Sequence, residues 1–213
     1  MAARVSETII LRTYPLKEAD LIVSFFTRDH GKLRGVAKRA RKPGSRFGSG
    51  LERLSHIRLF YFARENRDLA SLDSCELIGS RFGLSSDYDL STGLDFMAEV
   101  SEHLLPANEI NEKYFRLLLS VTDHLLKTGV SGLWPAVNYF TLWAVRLTGI
   151  LSPVHLSDED RDIAEEMLRK PVGQLAPREW SRQTLYGLRR QLVRLIEDQV
   201  ERKLLTTQYL ETI

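Results

Sequence analysis

Residues 31–54, GKLRGVAKRARKPGSRFGSGLERL, hold eight basic residues, Lys32, Arg34, Lys38, Arg39, Arg41, Lys42, Arg46 and Arg53, against one acid, Glu52. The whole chain has a formal net charge of +2, so this segment carries +7 and the remainder −5. Cations at this density, punctuated by glycine and serine, suit contact with a phosphate backbone. Lys32 and Arg34 are two apart, so on a strand they project from one face. Residues 38–42 continue as an exposed basic arm, and Pro43-Gly44-Ser45 keeps that arm out of a helix. The guanidinium forks of Arg39, Arg41 and Arg46 match phosphate bidentately, while Lys38 and Lys42 add point charges. Phe47, between Arg46 and Gly48, is the best-placed ring for stacking on a base. Phe60, Tyr61 and Phe62 offer further rings, but alternation favours the barrel core for Phe60 and Phe62.

A second basic group lies late in the chain. Arg189, Arg190 and Arg194 sit beside a leucine stripe, with Arg190 and Arg194 four apart on the face away from it. Taken alone this is an ordinary solvated helix surface; beside the first segment it could extend a nucleic-acid track. Enzyme chemistry finds little support. No Ser/His/Asp order, H-E-x-x-H or G-x-x-x-x-G-K-[ST] occurs, and His30 beside Asp29 reads as a surface turn. The acids Asp158, Glu159, Asp160 and Asp162 occupy a first helical turn, where acids are favoured without any metal. The single cysteine, Cys75, can form neither an internal disulfide nor a cysteine-rich zinc site. Among His30, His56, His103, His124 and His155 the nearest spacings are 21 and 26 residues, so no local ligand pair exists. Neither metal nor cofactor is expected.

The elements that must position these residues change character near residue 84. At 213 residues, 43% apolar and 27% charged, the chain reads as an ordinary soluble globular protein with one large or two small cores. No apolar run approaches the ~20 residues of a membrane span and no signal peptide opens the chain, so a cytoplasmic protein is expected. Strands are expected over 8–13, 21–27, 32–37, 57–62 and 69–78, with turns at 29–31 and 65–68 and a bulge at Gly35. After Ser85 the apolar period becomes helical, over 94–105, 110–125, 134–147 and 185–196, with a further helix starting at 157–160. Five short strands with a long third-to-fourth connection are the pattern of an OB-fold. The fold class is thus α+β multidomain: a five-stranded OB-fold barrel over 1–82, then an α-helical domain over 83–213.

Several spaced blocks in one order resemble the RecO family of bacterial recombination mediators. They are ETIILR from Glu7, EADLIV from Glu18, TRDHGKL from Thr27, VAK from Val36, SRFG from Ser45, RDL from Arg67 and EL from Glu76. The resemblance is strong over about residues 5–80 and extends in pattern to the helices. It implies a non-enzymatic protein, nucleoid-associated, that binds single- and double-stranded DNA and anneals strands. It further implies loading of recombinase on coated single strands, with RecR and single-stranded-DNA-binding protein as partners. It places the DNA contacts at Lys32, Arg34, Lys38 and Arg41 and at the Arg189–Arg190 pair. The acidic, apolar-ended tail of single-stranded-DNA-binding protein would meet the helical domain, for which Tyr114, Phe115, Arg116 and Leu118 are candidate lining, the alternative being that these aromatics are core. Two departures stand out. Arg39 occupies a place where the family pattern often has glycine. Many relatives also insert a four-cysteine zinc module where residues 150–155 here run straight into Leu156; either the module has been lost or the sequence omits it. An OB-fold RNA-binding protein of the translation apparatus is the alternative reading.

Overall fold

The computed structural model describes residues 2–63, 68–150 and 156–213. The expected turn residues Glu65, Asn66 and Arg67, the junction at 151–155 and His155 lie outside the described residues. The chain divides into two compact units. One comprises the residues through Gly83 with Leu105–Phe115, the other Leu84–Leu104 with Arg116–Ile213.

The first unit is built on five strands: β1 (Ala2–Leu16), β2 (Asp20–Thr27), β3 (Gly31–Ala37), β4 (His56–Ala63) and β5 (Leu69–Gly79). They close into a barrel in the order β1-β2-β3-β5-β4, the OB-fold expected from the sequence. β1 runs well past its expected limits because it serves two neighbours. Its first half, Ala2 to Ile9, pairs with β4 and its second, Thr8 to Leu16, with β2. Pro15 is tolerated inside the strand because pairing to β4 has already ended there. Arg34 to Ala37 of β3 pair in parallel with Leu69 to Leu72 of β5, which closes the barrel. The bulge expected at Gly35 does not form, and register is unbroken through it. Gly35 serves close approach instead, since a Cβ there would lie 2.6 Å from the Leu72 side chain.

Ile10, Val23, Phe25, Ile57, Leu59, Tyr61 and Leu72 fill the barrel, with Phe25 and Tyr61 edge to face at 5.7 Å. The inward positions of β4 are therefore odd-numbered. Phe60 and Phe62 point outward with exposed Arg58, which corrects their expected place in the core. Three consecutive aromatics carry no alternation of their own, so the phase had to come from Arg58.

Residues 105–115, helical-domain residues in the sequence reading, belong to the barrel unit. The Asn108 amide donates to the Lys32 carbonyl at 3.0 Å. Gly31, at φ +72°, leaves no room for a Cβ, which would stand 2.2 Å from the Glu109 carbonyl oxygen. Phe26 meets the rings of Tyr114 and Phe115 at 6.1 and 5.8 Å. His56 stands edge to face with Phe115 at 6.1 Å, and Arg28 lies over that ring at 5.0 Å. Glu7 pairs with Arg28 and contacts His56 at 2.7 Å, so the Arg28 charge over the ring has a carboxylate partner.

Among the described residues the second unit contains six α-helices: α1 (Tyr88–Leu104), α2 (Glu112–Thr128, its first turn belonging to the barrel unit), α3 (Leu133–Leu147), α4 (Asp158–Arg169), α5 (Tyr186–Gln199) and α6 (Leu205–Leu210). α3 is buried along most of its length, with Phe140 against Phe96 of α1, as its apolar circumference requires. Pro135 is accommodated in its first turn, where no helical donor is lost. The Ser157 hydroxyl accepts the Asp160 amide at 3.1 Å and caps α4, whose first turn carries Asp158, Glu159 and Asp160.

Glu99 of α1 is buried and caps α6. Its carboxylate accepts the Leu205 amide at 3.0 Å, the Thr206 amide at 2.8 Å and the Thr206 hydroxyl. Burial alone would raise its pKa, but the Thr206 and Leu205 hydrogen bonds and His103 outweigh it and hold the carboxyl below the ordinary value. The stabilisation is therefore present above the unfolded-state value of ~4.3 and is lost as pH falls through the lower folded value. Glu99→Gln should cost about 2 kcal/mol at neutral pH. The variant should also lose less stability than wild type on acidification from pH ~5 to pH ~3. Urea unfolding at several pH values checks both; equal acid sensitivity in the two proteins would contradict the assignment.

Candidate nucleic-acid interface

The basic segment leaves β3 at Ala37 and returns to the barrel at β4. It is not a loose arm. Successive backbone bonds, Lys42 to Arg39, Ser45 to Lys42, Gly48 to Ser45, Gly50 to Phe47 and Glu52 to Ser49, wind it as a chain of tight turns. Both ends are tied to the barrel. The Arg39 amide donates to Asp20 Oδ1 at 2.8 Å, and the Arg41 amide to the Ala19 carbonyl at 3.0 Å. At the far end the Leu54 amide donates to Ile10 at 2.8 Å, and Ile10 donates to Ser55 at 3.2 Å. Arg39 adopts φ +56°, the left-handed conformation that glycine would take without strain. A non-glycine residue there costs roughly 1–2 kcal/mol, and the bond to Asp20 offsets part of that cost. The turn survives with an added cation.

This winding holds Lys38, Arg39, Arg41, Lys42 and Arg46 at the surface. Arg46 makes an exposed ion pair with Asp73 of β5 at 3.1 Å, a contact weak enough for a phosphate to displace. The Arg41 guanidinium rests on the Glu18 carbonyl at 3.4 Å. That contact brings in a residue the sequence reading passed over, Lys17, exposed at φ +56° in the β1–β2 turn. A lysine in a short turn is ordinary surface, and only the fold brings Arg41 to the residue that follows it, Glu18. Of the two β3 residues, Arg34 is exposed and Lys32 half-buried. Arg53 is partly buried, and burial lowers its pKa against the opposing pull of Glu52.

Three expected contact groups are placed differently. Phe47 is only 5% exposed and packs in the barrel core with Leu51. It cannot present its face to a base, because a phenyl ring flanked by turns is stabilised far more by filling the barrel mouth than by facing water. Arg189 is 4% exposed. It donates to Asn138 Oδ1 at 2.9 Å and to the Arg182 carbonyl at 2.6 Å, and stacks on Trp134 at 4.7 Å. Burial lowers its pKa to about 10. It holds the helices together and is not available to DNA. Residue 189 follows Leu185 by four and precedes Leu192 by three, so it lies within the buried stripe itself. Arg190 is exposed, and with Arg194 it lines a cleft of about 320 Å³ between α5 and α6. Tyr114, Phe115 and Leu118 are fully buried and cannot line a groove for a partner; of that group Arg116 alone is exposed. Among the described residues, no group of three or more histidine, cysteine, aspartate or glutamate residues converges as a metal site. Burial raises the Cys75 thiol to about 11, so it is un-ionised at neutral pH.

A barrel with a basic turn-rich loop and a separate helical unit defines a class, the OB-fold proteins. Residues 1–81 match the family model "Recombination protein O N terminal". The chain is 38% identical to the DNA repair protein RecO of Koribacter versatilis over 98% of both chains. It is 39% identical to the DNA repair protein RecO of Bifidobacterium animalis subsp. lactis over 59% of this chain and 52% of that one, and 34% identical to that of Geobacter sulfurreducens over 59% and 51%. The chain belongs to the RecO family of DNA repair and recombination proteins. The Koribacter alignment runs over 242 positions against 213 residues here, so at least 29 of its positions have no counterpart in this chain. No described helix is long and apolar enough to cross a membrane.

Proposed function

We propose that this protein is a non-enzymatic mediator of recombinational repair that binds single- and double-stranded DNA. In this reading it promotes annealing of complementary strands and, with RecR, helps load recombinase on strands coated by single-stranded-DNA-binding protein. Residues 1–82 carry the nucleic-acid contacts and 83–213 the partner contacts. The observation that supports this most is the rigid display of Lys38, Arg39, Arg41, Lys42 and Arg46 on one wound loop, tied at both ends to the barrel. A pre-ordered loop meets phosphate without first losing conformational freedom. Arg34 and Lys17 extend the same basic surface.

Fluorescence anisotropy with matched DNA and RNA oligonucleotides tests the reading, together with an annealing assay on complementary DNA strands. DNA binding at least equal to RNA binding, with accelerated annealing, is the expected result. A marked preference for RNA without annealing would overturn it in favour of a translational RNA-binding protein, since only contacts to the 2′-hydroxyl separate the two backbones.

A further inference from the structure

The outer face of β4 carries two rings that the barrel does not use. Phe62 is 36% exposed and Phe60 partly so, and both project from the side of the strand opposite buried Leu59 and Tyr61. On β1, Val5 stands opposite Phe60 and Ala3 opposite Phe62; on β5, Ser74 stands opposite Phe60 and Ser71 opposite Phe62. Cross-strand partners share a face, so Phe60 lies between exposed Val5 and Ser74 and Phe62 between Ala3 and Ser71, with a bulge at Asp73 of β5 between the two serines. The residue before Ser74 is Asp73, which holds the Arg46 guanidinium. Arg46, midway along the basic loop, is thereby held to the β5 residue next to the partner of Phe60, on the same barrel unit.

We infer that Phe60 and Phe62 form a stacking platform for two successive bases of a single strand whose phosphates lie along the basic loop. The inference rests on the DNA-binding reading above and names the part of the ligand that the cations leave unaddressed. Aromatic faces beside a cationic track are how strands are held without regard to sequence. Side chains two apart on a strand are separated by about 6.7 Å, roughly twice the 3.4 Å rise of stacked bases in a duplex. A strand must open its own stack to occupy both rings, which selects single strands over duplex. The flanking serines and the adjoining Arg46 favour a polar polymer over a protein partner, which would need a wider apolar surface.

The test uses the full chain and two probes of equal length, oligothymidylate and an oligonucleotide of abasic sites, which share phosphates but differ in bases. Wild type should bind oligothymidylate more tightly, and F60A/F62A should bring its affinity down to that of the abasic strand, a loss of about 5- to 150-fold per stacked base. Abasic affinity and the salt dependence should stay unchanged. F60Y/F62Y, which keeps both rings, should restore the preference. Equal binding of both probes by wild type, or a preference that survives F60A/F62A as a protein-docking face would allow, overturns the platform but leaves the DNA reading standing. An equal loss on both probes would show that the rings act through the fold, and also overturns it. Failure of wild type to bind either probe overturns the DNA reading itself.

Discussion

Replacing Lys38 and Arg41 by glutamate is expected to lower affinity for single-stranded DNA by at least about 25-fold at 0.1 M salt. Each phosphate contact on a single strand contributes about −0.7 to the slope of log affinity against log salt. Five contacts, from Lys38, Arg39, Arg41, Lys42 and Arg46, give a slope near −3.5, so wild type should lose roughly 100-fold between 50 and 200 mM salt. The double variant retains a slope near −2 and should lose only about 20-fold over the same range. Both side chains are exposed and neither fills the core, so the fold should be unaffected. The loss should be the same for every base sequence, because phosphates carry no sequence information. Anisotropy titrations at three salt concentrations measure all of this. A salt-independent wild-type affinity, or a variant that binds as wild type, would refute the assignment.

The second large effect is on stability. Phe47→Ala should cost about 3–5 kcal/mol, the cost of emptying a buried phenylalanine site. Phe47 packs with Leu51 and the residues that line the barrel interior. Its carbonyl also accepts the Gly50 amide at 2.8 Å and lies 3.4 Å from the Cys75 sulfur, so the ring anchors the middle of the wound loop. Losing it frees the turns on both sides. DNA binding should then weaken as well, because the loop must be ordered on binding rather than beforehand. Phe47→Leu, which keeps most of the apolar volume, should cost less than about 1.5 kcal/mol and retain binding. Denaturant unfolding decides between this and a solvent-facing stacking ring. A ring that only stacked on bases would change affinity on alanine substitution and leave stability within about 0.5 kcal/mol.

Phe47 also shows why a basic loop need not be a flexible one. Neighbouring glycines and charges read as solvated chain, yet a single large ring can fix such a segment when the barrel mouth is open to receive it. The cations gain from this arrangement, since they are held outward without lysines and arginines having to pay for backbone order at the moment of contact.

The basic segment and its solvent exposure, five strands and then helices, and the capped acidic start of α4 were all legible in the sequence. Each depends on local chemistry: charge density, a period of two giving way to one near 3.6, and a serine before three acids. The matching blocks along the first 80 residues carried the family in the same local way. Tertiary structure decided which face and which neighbour. Whether Phe60 or Tyr61 turns inward depends on the phase of β4 against β1 and β5, and three aromatics in a row do not state it. Burial of Phe47, of Tyr114 and Phe115 against Phe26, and of Arg189 among Asn138, Arg182 and Trp134 requires partners as far as 89 residues away in the chain. Gly35 read as a bulge and is a contact point, because only the parallel closure of β3 on β5 brings Leu72 to it. Local pattern fixes what a residue can do; the packing of distant segments decides whether it faces water, where a charge or a ring can meet DNA, or the core, where it can only hold the fold.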